Sequence, residues 1–177
     1  MNAIVALRKS SEFAYQQLLE AVTEVDEPHS WAQVKPIGNE YLHTNGTIVA
    51  IVQHIAGCKV LYASCAFTNM RIRGREMFER TKQIGSDWEK TKAFLQESQD
   101  YWMESWSTLR SDELEHMKGT IFDKPWPAWQ VIAQVMCHDE YHAGQISLIR
   151  SIAAPTNMPP DMKFDEEEKY VRDTVFW

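Results

Sequence analysis

The chain has 177 residues, 44% of them hydrophobic and seven of them tryptophan, with a formal net charge of −7. That length and apolar content fit one folded domain over 1–177 and exclude a disordered chain, while the acidic balance disfavours broad nucleic-acid binding, which depends on neutralising phosphates. Three cysteines, an odd number, and no secretory pattern at the start point to a reducing, cytoplasmic setting, and the apolar runs fall short of the roughly 20 residues that span a bilayer.

The first helix is predicted over 3–24, with Ile4, Leu7, Ala14, Leu18 and Val22 on one side. Pro28, Pro36 and Gly38 break the pattern, and His29 and His43 read as loop residues. A second helix runs from Asn45, a plausible cap, to about Phe67 and carries His54. Its β-branched start, Thr47 to Val52, also suits a strand, but the length and the continuing 3.6-residue period favour helix.

Residues 69–85 read as a connector. Arg71, Arg73, Arg75, Arg80 and Lys82 stand there against Glu76 and Glu79, which suits a solvated loop or, alternatively, a gate that attracts an anionic ligand. The third helix opens at Ser86-Asp87-Trp88-Glu89, which fits a capping box. Trp88, Leu95, Trp102 and Leu109 then recur every seven residues, a seam for packing against neighbouring helices. A further connector holds His116, Gly119 and Pro125 and ends at Pro127, which suits the first turn of a fourth helix reaching about Ala153. Pro155, Pro159 and Pro160 stop it. A tail from Asp165 can form a short last helix with apolar contacts from Phe164, Tyr170, Val175, Phe176 and Trp177. Four amphipathic segments without alternating strands describe an all-α four-helix bundle with long connectors and a C-terminal tail.

The chemistry concentrates in Cys137-His138-Asp139-Glu140-Tyr141-His142-Ala143-Gly144-Gln145-Ile146. Four residues are about one helical turn, so His138 and His142 stack on one face, close enough to share a metal ion. A catalytic metal usually takes three protein ligands and keeps one position open, so a third ligand must come from elsewhere. Among the other histidines only His54 falls mid-helix, where small neighbours Ala50, Gly57 and Cys58 leave room for a polar partner.

These residues match a known pattern. His54 within Gln53-His54-Ile55-Ala56-Gly57, followed late in the chain by His138-x-x-x-His142-x-Gly144-Gln145-Ile146, resembles the DinB/YfiT-like superfamily of four-helix metalloproteins over nearly the whole chain. The resemblance implies that His54, His138 and His142 hold one divalent metal, zinc or nickel. It also implies a homodimer and, in characterised relatives, a thiol-dependent transferase or isomerase that uses a low-molecular-weight thiol. The long basic connector and the aromatic tail depart from the commonest relatives, which bears on the substrate more than on the metal.

The expected function is a metal-dependent transferase or hydrolase acting on a small electrophile through a metal-bound thiol or water, without nucleic acid or membrane. The alternative is a non-catalytic metal-binding module, a sensor or assembly protein, whose site Cys58 or a carboxylate closes as fourth ligand. Gln145 shares the face of His138 and His142 and suits a supporting hydrogen bond. Tyr141 suits core or pocket wall, Cys65 and Cys137 suit packing, and Glu140 faces solvent. A zinc-protease reading fails because Asp139 stands where the motif needs glutamate. A di-iron reading fails because it needs paired Glu-x-x-His motifs on the bundle helices, and Glu113-x-x-His116 lies outside the predicted helices.

Overall fold

The computed structural model describes residues 2–34, 44–122, 124–160 and 162. Those residues form an all-α fold, as expected: α1 (Ala3–Val22), α2 (Glu27–Ser30), α3 (Ile48–Phe67), α4 (Gly74–Ile84), α5 (Trp88–Ser105) and α6 (Ala128–Ile152). The expectations for Pro36, Gly38, His43 and the tail from Asp165 lie outside the described residues.

Helix α3 is central. It packs against α5 and α6, and α6 packs in turn against α1. Sixteen of its twenty residues are buried, so it lacks the polar face of an ordinary surface helix. By length and composition α3 is apolar enough to cross a membrane, contrary to the expectation that no stretch would be; 83% of that window is buried inside the fold. The strand-like start is helical because Thr47 caps it, its Oγ1 accepting from the Ala50 amide at 3.3 Å. Asn45, the expected cap, instead accepts from the Thr47 amide and hydroxyl at 3.1 and 2.7 Å.

The expected connector over 69–85 is largely a helix, α4. Charge density hid a short amphipathic repeat in which Gly74 and Met77 are buried. Glu76 accepts from the Arg73 amide at 2.8 Å to start the helix, and Gly85 at φ 59° ends it. Part of the basic excess is engaged: Arg80 pairs with Glu97, and its guanidinium lies 4.5 Å from the Phe94 ring centroid.

Asp87, not Ser86, caps α5, accepting from the Lys90 amide at 2.9 Å. Trp88, Leu95 and Trp102 are buried as the seven-residue period requires, but Leu109 lies beyond the end of α5. The next connector is more ordered than expected, with a 3₁₀ turn at Ser111–Glu113 and two short antiparallel strands, β1 (Met117–Lys118) and β2 (Trp126–Pro127). It serves α6 directly. Pro127 has no capping side chain, and the carbonyls of Leu114 and His116 accept from the Trp129 and Ala128 amides at 3.1 and 3.0 Å. Near the other end of α6, Arg150 donates to the Ala21 and Glu20 carbonyls at 2.8 and 3.2 Å, placing a cation at the negative end of α1.

Two apolar clusters result. One holds Leu18, Val52, Ile55, Trp88, Leu95 and Ile146; the other holds Ile4, Tyr62, Trp102, Trp106, Ile132 and Val135. Along α6, His138 and Asp139 fall between Val135 of the second cluster and Ala143 of the first. Polar side chains therefore occupy the junction between the two cores.

Candidate metal centre

At that junction the long helices bring together the three histidines that the sequence singled out. His54 Nε2 lies 3.0 Å from His138 Nε2, and His142 Nε2 lies 3.2 Å from the same atom. The available nitrogens of all three lie within 4.8 Å of one another. His142 is buried and the other two rings are half-buried. Helix α6 supplies His138 and His142 from adjacent turns, and α3 supplies His54 from across the α3–α6 contact.

Gln145 fixes the tautomer of His142. Its Oε1 can only accept, so the contact at 2.6 Å makes Nδ1 the protonated nitrogen of a neutral His142 ring and turns the Nε2 lone pair toward His138. On its other side Gln145 Nε2 donates to the Tyr141 hydroxyl at 3.1 Å. Tyr141 is 64% exposed, yet its ring stacks edge-on to His142 with centroids 5.0 Å apart. It is thus not a core residue.

Neutral imidazoles cannot satisfy both nitrogen contacts. If His138 Nε2 carries a proton, that proton points to His142 or to His54, not squarely to both. If His138 Nε2 is bare, it faces the bare Nε2 of His142. A cation shared by three lone pairs removes the conflict. Metal–nitrogen distances of about 2.0–2.1 Å in tetrahedral geometry place ligand nitrogens about 3.3 Å apart, close to the observed contacts. The donor set therefore fits a borderline divalent ion.

Cys58, one turn beyond His54, is buried. Its sulfur lies 3.8 Å from both His54 Nδ1 and His54 Nε2. The ligand atoms that lie within 4.8 Å of one another are those of His54, His138 and His142, and Cys58 is not among them. Cys65 is buried as expected, whereas Cys137, expected to pack, is exposed on the outer face of α6. Glu140 is exposed, as expected. His29 sits in α2 rather than a loop, with Nδ1 2.6 Å from Asp26 Oδ1, and His116 lies in the connector before β1.

Sequence reasoning missed the polar group beside the histidines. Lys59 and Asp139 are both fully buried and ion-paired, and Lys59 Nζ also donates to Gln99 Oε1 at 2.9 Å. Burial pushes the Lys59 ammonium down and the Asp139 carboxyl up in pKa, and the attraction between them works against both shifts. Asp139 Oδ1 is buried with no hydrogen-bond partner among the described residues. One signal was available: Lys59 is the only charged residue in α3. Compared with known proteins, the chain matches no protein-family model and no curated sequence.

Proposed function

We propose that His54, His138 and His142 hold one divalent cation, zinc or nickel, and that the protein is a metal-dependent transferase or hydrolase of the DinB/YfiT-like kind acting on a small electrophile. The carrying observation is the convergence of three Nε2 atoms at contacts of 3.0 and 3.2 Å that neutral rings cannot all satisfy. When bound, a divalent ion on three neutral nitrogens acts as a Lewis acid and lowers the pKa of a water or thiol beside it. The remaining work belongs to the chain. Gln145 holds His142 in the tautomer that presents Nε2, and Tyr141 braces Gln145. That Cys58 stands outside the group of ligand atoms lying within 4.8 Å of one another favours this open-site reading over a closed, non-catalytic one.

The test is metal content per chain, by elemental analysis of untagged, dialysed protein. About one divalent ion is expected in the parent, and none in His54→Ala, His138→Ala or His142→Ala, each still helical by circular dichroism. Unchanged metal in any variant removes that residue from the site. No uptake by the parent after incubation with zinc or nickel refutes the proposal.

A further inference from the structure

A buried ammonium in the most apolar helix of a protein is costly, and the structure indicates what it does there. Lys59 lies on α3 five residues after His54, so the two side chains leave the helix about 140° apart and about 7.5 Å apart along its axis. On α6, Asp139 follows His138 directly and leaves that helix about 100° around from it. Each helix thus carries one histidine of the candidate centre and one member of the buried pair. Besides shared apolar packing, the two helices are joined by polar contacts at two levels: His54 with His138, and Lys59 with Asp139.

Two directional contacts at different heights and azimuths restrict what a single contact leaves free, namely rotation of either helix about its own axis. Gln99 adds a third helix, because its Oε1 on α5 accepts from the same Lys59 ammonium at 2.9 Å. The Tyr15 ring on α1 covers that ammonium at 5.4 Å from its centroid. All four long helices therefore converge on Lys59. An apolar pair of similar volume would fill this space but would lack the directional hydrogen bonds that add to side-chain packing in setting how α6 is turned against α3.

We infer that Lys59 and Asp139 are positioning residues for the histidine centre: their buried contact, anchored by Gln99, sets the rotation of α6 against α3 that brings His138 and His142 onto His54. The inference rests on the metal-binding reading and adds a part to it. It assigns no contact between either residue and the ion.

The test is Co(II) titration of the full-length protein, followed by visible absorption, with the metal alone as probe. The variants are the double substitution Lys59→Met with Asp139→Leu, and the single substitutions Asp139→Asn and Gln99→Met. The double variant is expected to remain helical with a cooperative thermal transition, yet to bind Co(II) about 10-fold to 100-fold more weakly, the size usual for loss of a residue that orients a ligand. Its d–d bands are expected to shift, a change that loss of general stability does not produce in a folded protein. Asp139→Asn retains an acceptor for Lys59 and is expected to stay near the parent in affinity and spectrum. That arm also separates positioning from any through-space effect of the carboxylate charge.

A folded double variant with the parent's affinity and bands overturns the inference. If the double variant does not fold, Gln99→Met, which keeps the ion pair and removes only its anchor on α5, is compared with the parent, and equal affinity and bands there overturn it as well. A parent that takes up no Co(II) instead refutes the metal reading, and this inference falls with it. A parent that binds while these variants bind equally well refutes this inference alone.

Discussion

Gln145 makes the smallest testable unit of the centre. Its Oε1 is what leaves His142 with a lone pair on Nε2, so Gln145→Leu lets the ring exchange tautomers and rotate. Competition with a chromophoric chelator is expected to show metal affinity falling about 10-fold to 100-fold. Parent-like affinity would make the contact incidental. Cys65 supports a prediction of a different kind. Burial pushes its thiol up from an ordinary value near 9 to about 11. Between those values the unfolded chain loses the proton and the folded chain keeps it, so stability falls as pH rises and is unaffected below pH 9. By pH 11 the loss is about 2 kcal/mol. Urea denaturation at pH 8 and pH 11 should therefore show a larger alkaline loss in the parent than in Cys65→Ala; equal losses would refute the assignment. At this scale the histidines were legible because four residues make about one turn, a purely local fact. Lys59 was legible only as a cost. Its partner lies 80 positions later in the chain, and no local pattern points there.

Helices α1, α3, α5 and α6 were legible because each carries a long apolar repeat that outlasts local noise. Their ends were not: Asn45 beside Thr47, and Ser86 beside Asp87, offer two capping side chains in close succession. Only the chain path decides which one meets a free amide. Helix α4 was missed for a different reason. It buries little beyond Gly74 and Met77, so its period was hidden under charges that belong to its exposed face. The two ends of this problem meet in its glycines. Gly85 stops α4 at φ 59° and ψ −133°, a region that side chains with a Cβ avoid, and its carbonyl accepts from Gln53 Nε2 at 2.7 Å. Gly85→Ala is expected to cost about 1–2 kcal/mol. Gly144 lies inside α6, and a Cβ built there meets nothing within 4 Å. Gly144→Ala is expected to add about 0.5–1 kcal/mol, because it restricts the unfolded chain and creates no clash. Thermal melts of both variants check the pair, and a shared sign would contradict the account.

For the molecule as a whole, the junction between the two apolar clusters is the point at which stability and site geometry are decided together. Lys59, Asp139 and Gln99 tie α3, α5 and α6 at one place, with Asp139 Oδ1 already lacking a partner among the described residues. Lys59→Met alone strands a fully buried carboxylate, and Asp139→Leu alone strands a fully buried ammonium. Each is expected to cost about 3–5 kcal/mol, much of the 5–15 kcal/mol by which a domain is typically stable. Together the two substitutions remove both desolvation penalties and leave a packed apolar contact, so the double variant should lie near the parent or above it. Urea denaturation of the four proteins gives the coupling directly. Additive losses would mean that the two groups do not depend on each other and that water reaches one of them. Strong coupling with a stable double variant would mean that an apolar core can replace the pair energetically, leaving the direction of its hydrogen bonds as the property that the fold cannot otherwise supply.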